Sequence, residues 1–274
     1  MKISFEFFPP RTEQGRQALA QVRQELITIH PEYFSVTFGA GGTTQEATLE
    51  TVLDIQKNNA IPAAPHLSCV DSKKENIIKL LNQYKTAGIN RIVALRGDIP
   101  SGVRDIGDFH YANELVEFIK SQYNDHFHIK VAAYPEMHPQ AKNIHTDLAH
   151  FANKVGAGAD SAITQYFYNA DAYFRFVDEV QKLGIDIPIT PGIMPITNYT
   201  QLLRFSTMCG AEIPKWILER LKLYENDLDS LSAFGTEVVS NLCQTLKAQG
   251  VDSFHFYSMN RVQPSLKIAK HIND

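Results

Sequence analysis

Eight short apolar runs, separated by longer stretches of helical period, predict an α/β protein: a closed (β/α)8 TIM barrel, one domain over residues 1–274. Eight such units in about 250 residues are the size of that barrel. No Pro/Gly/Ser-rich linker, low-complexity tract or composition shift offers a boundary for a second domain. An open doubly wound sheet would carry GxGxxG after its first strand, but Pro9-Pro10-Arg11 stands there, and Gly39-Ala40-Gly41-Gly42 has the wrong spacing. That glycine cluster reads as a tight strand-to-helix turn.

Taken in order, the strands are ISFEFF (3–8), YFSVTF (33–38), AAPHLSCV (63–70), RIVALRG (91–97), IKVAAYP (129–135), AITQYFY (162–168), IPITPGI (187–193) and SFHFYSM (253–259). Between the second and third, residues 43–59 place Ala47, Leu49, Val52, Leu53 and Ile55 near one helical face. Thr43-x-x-Glu46 reads as its capping box, and Ser72-x-x-Glu75 opens the next helix in the same way. The seventh connection, roughly 194–252, is long enough for extra helices between strands 7 and 8.

Bulk properties exclude several classes. Lys+Arg number 26 and Asp+Glu 30, a balance without the clustered basic face that nucleic acid needs. No run of about 18 apolar residues predicts a membrane span, and no basic segment leads into an apolar run and cleavage site. Cys69, Cys209 and Cys243 are odd in number and far apart, without a CxxC, which predicts a reducing, cytoplasmic setting rather than a disulfide framework.

The predicted strand ends are polar: Glu6, Thr37, His66 and Ser68, Arg96-Gly97-Asp98, Tyr134-Pro135-Glu136, Gln165, and Tyr257 with Asn260 and Arg261. In a barrel these converge on one mouth, where catalytic groups sit. Glu6 is the most pointed. A glutamate on a strand ordinarily faces solvent, but Phe5 and Phe7 alternate with Ser4 and Glu6, and neither face of a barrel strand is free solvent. A buried carboxyl without a cation keeps its proton, as a general acid must. The competing reading is a structural salt bridge to Arg11 or Arg261.

Other chemistries are thinner. His66 near Cys69 lacks the further ligands of a zinc site, and His126-x-His128 precedes the fifth strand, at the barrel's bottom, so no metal is expected. A Schiff-base site needs a lysine at an inner strand end, whereas Lys130 stands at a strand start.

The motifs SFEFFPP, VTFGAGG, PHLSC, ALRGD, AAYPEMHP, AITQYFY, PGIMP and FHFYSMNR, in that order from first strand to last, resemble the methylenetetrahydrofolate reductase family in its bacterial form, a catalytic barrel alone. The resemblance implies an FAD-dependent oxidoreductase of one-carbon metabolism. NADH, with NADPH as the alternative, reduces the flavin, and 5,10-methylenetetrahydrofolate then takes the hydride in a ping-pong cycle. It implies that Glu6 protonates folate N10 and that Asp98 tunes flavin and pterin. Substrate would meet Asp98, Gln165, Gln201, Phe205 and Arg261. FAD would meet Thr37, His66, Arg96, Gly97, Asp98, Tyr111, Ala112, Tyr134, His138, Ala141, Asp147 and Lys154. Asn153 stands where a second basic residue is expected beside Lys154. Self-association into a homo-oligomer is also implied. Two alternatives stay open: another FAD-dependent barrel oxidoreductase, similar to proline dehydrogenase, and a catalytically silent binding protein on the same fold.

Overall fold

The computed structural model describes residues 1–38, 42–58, 60–69, 72–97 and 107–273, without the side chains of 42–44. Asp98 and Gly39 to Gly41 therefore lie outside the described residues. The strands are β1 (Lys2–Phe7), β2 (Tyr33–Val36), β3 (Ala63–Ser68), β4 (Arg91–Leu95), β5 (His128–Ala133), β6 (Ser161–Thr164), β7 (Ile189–Thr190), β8 (Gly192–Ile193) and β9 (Ser253–Tyr257). The helices are α1 (Glu13–Leu26), α2 (Gly42–Asn58), α3 (Lys74–Thr86), α4 (Ala112–Tyr123), α5 (Ile144–Gly156), α6 (Ala170–Lys182), α7 (Tyr199–Cys209), α8 (Lys215–Leu223), α9 (Leu228–Ala248) and α10 (Ser265–Asn273). All strand pairs are parallel, in the order β7-β6-β5-β4-β3-β2-β1-β9-β8. The expected α/β barrel is present, and α7, α8 and α9 fill the long connection before the last strand.

The expected seventh strand is broken. Pro191 has no N–H to give the ladder, so the run splits into β7, paired with β6, and β8, paired with β9. The Pro191 carbonyl still accepts from His255 N at 3.0 Å. Immediately after it, a Cβ on Gly192 would lie 2.1 Å from the Thr164 carbonyl oxygen and 2.6 Å from the Tyr257 ring. Only glycine fits that crossing.

Helix α2 is described from Gly42, and the Thr43 side chain of its expected capping box lies outside the described residues. The start of the next helix departs from its expected capping box. Helix α3 is entered at Lys73, without a side-chain cap. Ser72 instead donates to the Ser68 carbonyl, and Asp108, from a distant loop, accepts from Lys74 N at 2.9 Å. A tertiary carboxylate has taken the place of the local cap.

Period-2 alternation sorts the barrel into two layers. Ile3, Phe5 and Phe7 point outward under the helices, where Phe5 meets Phe256 at 5.5 Å and Phe7 meets Phe34 at 5.1 Å between centroids. Burying each such ring contributes about 1.5–3 kcal/mol, so this belt anchors β1. The inward layer carries polar groups: Ser4 and Glu6 on β1, Tyr33 and Ser35 on β2, His66 on β3, Lys130 on β5, Ser161 on β6, and His255 and Tyr257 on β9. Ladder register sets Ser4 beside Tyr33 and His255, and Glu6 beside Ser35 and Tyr257.

Candidate active site

Glu6 stands near the C-terminal end of β1, its side chain 13% exposed. Its Oε2 lies 3.3 Å from His66 Nε2 and 3.6 Å from His255 Nε2. The nearer approach does not meet hydrogen-bond geometry, and His66 Nε2 is buried without another protein partner. Among the described residues no ion pair joins Glu6 to Arg11 or Arg261, so the salt-bridge alternative finds no support there. Burial pushes the Glu6 carboxyl up, opposed by His66, and pushes His66 down, opposed by Glu6. Both groups favour their neutral forms because desolvation outweighs their attraction.

His255 was absent from the expected site. It is fully buried, and burial with help from the Lys130 charge lowers its pKa to about 3. Its Nδ1 shares a hydrogen bond with Ser4 Oγ at 2.7 Å. Phe254 and Phe256 bracket it on the strand as Phe5 and Phe7 bracket Glu6, a sequence signal sufficient to find it. The backbone of Glu6 is clamped as well. Ser258 Oγ donates to the Glu6 carbonyl at 2.7 Å, while Asn260 accepts from Phe8 N and donates to the Phe8 carbonyl. Met259 and Asn260 adopt φ of 55° each to make that clasp. Asn260 is thus a structural tie, and Arg261 beyond it is exposed.

Along the mouth, Thr37 N donates to the Phe7 carbonyl, and the Thr37 carbonyl accepts from Thr48 Oγ1. Gly97, with φ of 83°, needs glycine's freedom and presents bare backbone. Arg96 reaches Gln140 Oε1, tying the end of β4 to the loop after β5. In that loop Tyr134 packs edge-on to His138 at 4.5 Å. Asp147 accepts from His138 N at 2.8 Å, and Ala141 N donates to the His138 carbonyl. Six of the expected cofactor residues therefore belong to one connected ledge: Arg96, Gly97, Tyr134, His138, Ala141 and Asp147. Tyr111 and Ala112 open α4, where Glu114 accepts from Tyr111 N, and the Tyr111 side chain is exposed.

Lys154 sits apart in its bonding. Its Nζ donates to the Ala132 carbonyl, and burial lowers it to about 8. Gln165 follows β6 and turns its Oε1 to accept from Tyr166 N at 3.0 Å. Gln201 and Phe205 lie on α7, Phe205 packed partly against the core beside Ser206, whose hydroxyl shares a hydrogen bond with Tyr166 Oη at 3.1 Å. Among the described residues no group of three or more His, Cys, Asp or Glu side chains could hold a metal ion. No described helix is long and apolar enough to cross a membrane.

Residues 1–273 match the family model for methylenetetrahydrofolate reductase. The 5,10-methylenetetrahydrofolate reductases of Pectobacterium carotovorum subsp. carotovorum and Escherichia coli (strain K12) are 38% and 37% identical, across 98% of this chain and 89% of theirs. An Arabidopsis thaliana relative, methylenetetrahydrofolate reductase (NADH) 1, is 37% identical over 94% of this chain and 46% of its own length. Among solved structures, a Clostridium thermocellum protein described as binding two copies of 5-methyl-5,6,7,8-tetrahydrofolic acid superposes with a TM-score of 0.67 at 16% identity, over 99% of this chain and 92% of that one. At that identity the likeness is one of fold. By sequence across its whole length, the chain belongs to the methylenetetrahydrofolate reductase family.

Proposed function

We propose that this protein reduces 5,10-methylenetetrahydrofolate to 5-methyltetrahydrofolate with FAD as cofactor and NADH as donor, the folate entering after the oxidised nucleotide leaves. The observation that carries the reading is Glu6, a buried carboxyl inside the mouth that faces two histidines and, among the described residues, pairs with no lysine or arginine. NADH is favoured over NADPH by the names of the Arabidopsis thaliana and Oryza sativa subsp. japonica relatives.

The ledge of six residues suits a dinucleotide. Gly97 lacks a Cβ where the backbone would approach a ring, and Arg96 is a guanidinium able to pair with a pyrophosphate. Lys154 would have to leave the Ala132 carbonyl to reach a phosphate. Bound there, FAD would carry hydride from the nicotinamide to the folate methylene carbon.

The protein's own work is proton placement. Burial disfavours the Glu6 carboxylate and so strengthens its hold on a proton, and in this reading it delivers that proton to folate N10 as the five-membered ring opens. His66 and His255, held neutral, avoid drawing the proton away as imidazolium would require. Gln165 spends its carbonyl on Tyr166 N, which leaves its amide NH2 to donate to the pterin. Phe205 offers a flat face to a ring, Gln201 and Arg261 supply polar contacts to the substrate, and Asp98 adds the charge that tunes flavin and pterin.

Anaerobic stopped-flow tests the reading. NADH is expected to bleach the bound flavin, and methylenetetrahydrofolate to restore its colour. Efficient reoxidation by a different acceptor, with none by the folate, would favour a proline dehydrogenase-like oxidoreductase. A protein that takes up no FAD on titration would favour a silent binding role.

A further inference from the structure

At the opposite end of the barrel, where the strands begin, a cavity of 590 Å³ opens. Four cationic side chains line it, and three are matched by carboxylates. Lys2 lies 3.7 Å from Asp252, Arg91 lies 2.7 Å from Glu32, and Lys120 lies 3.0 Å from Asp160 and 3.7 Å from Asp125. Every carboxylate on the wall is thereby engaged.

Lys130 is the exception. It is 7% exposed, and among the described residues no carboxylate comes within ion-pair distance. Its Nζ donates to Ser161 Oγ at 3.1 Å and stands 5.3 Å from the centre of the Tyr33 ring. Ser161 Oγ lies 2.8 Å from His128 Nε2, so the hydroxyl accepts from the ammonium and donates to a neutral imidazole. Burial and the Lys130 charge both push His128 towards that neutral form. An ammonium has three donors, and a hydroxyl and a ring face satisfy only part of them. Taking such a charge out of water costs several kcal/mol unless an acceptor compensates. The unspent donors border a polar cavity roomy enough for a small molecule.

We propose that this cavity is a second ligand site, at the far end of the barrel from the reaction, for a small oxyanion bearing carboxylate or phosphate, with Lys130 as its anchor. The proposal does not rest on the folate chemistry. A purely structural lysine, capping the barrel through Tyr33, is the competing account.

Carbamoylation of the holoenzyme by cyanate, read residue by residue by mass spectrometry, separates the two. Cyanate adds to neutral amines, and burial lowers Lys130 to about 8, so at pH 8 it is expected to react ahead of the exposed Lys57. At fixed ionic strength, inorganic phosphate in one series and malonate in another compete for the amine. Protection of Lys130 by either, about tenfold at about ten times Kd with Lys57 unchanged, supports the site and identifies the oxyanion. Equal rates with and without both anions, parallel slowing of Lys57, or a Lys130 that never reacts would each overturn it. Thermal melts read the same binding independently. The protecting anion should raise Tm in the native protein and not in Lys130→Met, and a rise that survives the substitution places the anion elsewhere.

Discussion

At the floor of the barrel Glu32, Asp160 and Asp252 each lie within 3.7 Å of a lysine or arginine. Near the mouth Glu6 has two histidines and, among the described residues, no lysine or arginine in ion-pair reach. The floor residues sit at strand starts open to water, where an ion pair involves little desolvation. Glu6 sits one layer in, where an ionised carboxylate would need a cationic partner that the described residues do not supply. The same strands thus carry carboxyls in two settings: ion pairs that fasten strand ends, and a buried carboxyl that burial biases towards its protonated form.

The largest effect expected from breaking this contrast is kinetic. Glu6→Gln preserves shape and removes the proton. Flavin reduction by NADH should survive, and reoxidation by methylenetetrahydrofolate should fall about 10²–10⁴-fold, the usual worth of a placed general acid. Stopped-flow traces of the two half-reactions check it, and equal losses in both would make Glu6 a structural residue. Stability should move the other way. A neutral amide no longer faces ionisation as pH rises, so the variant should lose less stability than the parent as pH climbs above 4.5 in urea melts.

Next in size is the acid limb. His255 titrates near 6.5 when unfolded and about 3 when folded. Between those values the unfolded chain holds a proton that the folded one refuses, so stability drops on acidification by about 1.4 kcal/mol per pH unit for this group. His66 adds in the same direction. Glu6, raised in the folded state, has the opposite sign: it costs stability as pH climbs from 4.5 towards its folded value. His255→Asn should therefore flatten urea-derived stability between pH 6 and 4 by up to about 1.4 kcal/mol per unit. An unchanged slope would mean that the imidazole is already charged in the fold.

Alternation along β1 was enough to bring Glu6 indoors, because side chains of a strand point to opposite faces whatever the neighbours are. The same pattern in SFHFY could have brought in His255. Which groups face Glu6 could not be read that way, since β1 meets β9 across 251 positions and only closure of the sheet sets their register. The eight runs read correctly as a barrel, yet Pro191 divides the seventh, a consequence of its missing N–H that apolar composition hides. The cap of α3 was misread for a related reason. Ser72 has the right local chemistry, but Asp108 arrives from elsewhere in the chain and serves Lys74 N directly.

The smallest effect belongs to the floor. Asp252 and Lys2 are 72% and 65% exposed at the side chain and 3.7 Å apart, a pair that water screens. Asp252→Asn should shift stability by no more than about 0.5 kcal/mol and leave both half-reactions at parental rates. The strand start keeps its tie regardless, because Lys2 N donates to the Asp252 carbonyl at 2.9 Å, a bond that the substitution spares. A larger kinetic change would join the two ends of the barrel. The path is short: Tyr33, under the floor cations Arg91 and Lys130, places its hydroxyl 3.5 Å from His255 Nδ1, and His255 faces Glu6. Parental rates in Asp252→Asn alongside the loss in Glu6→Gln would establish that exposed ion pairs fasten the floor without tuning the mouth.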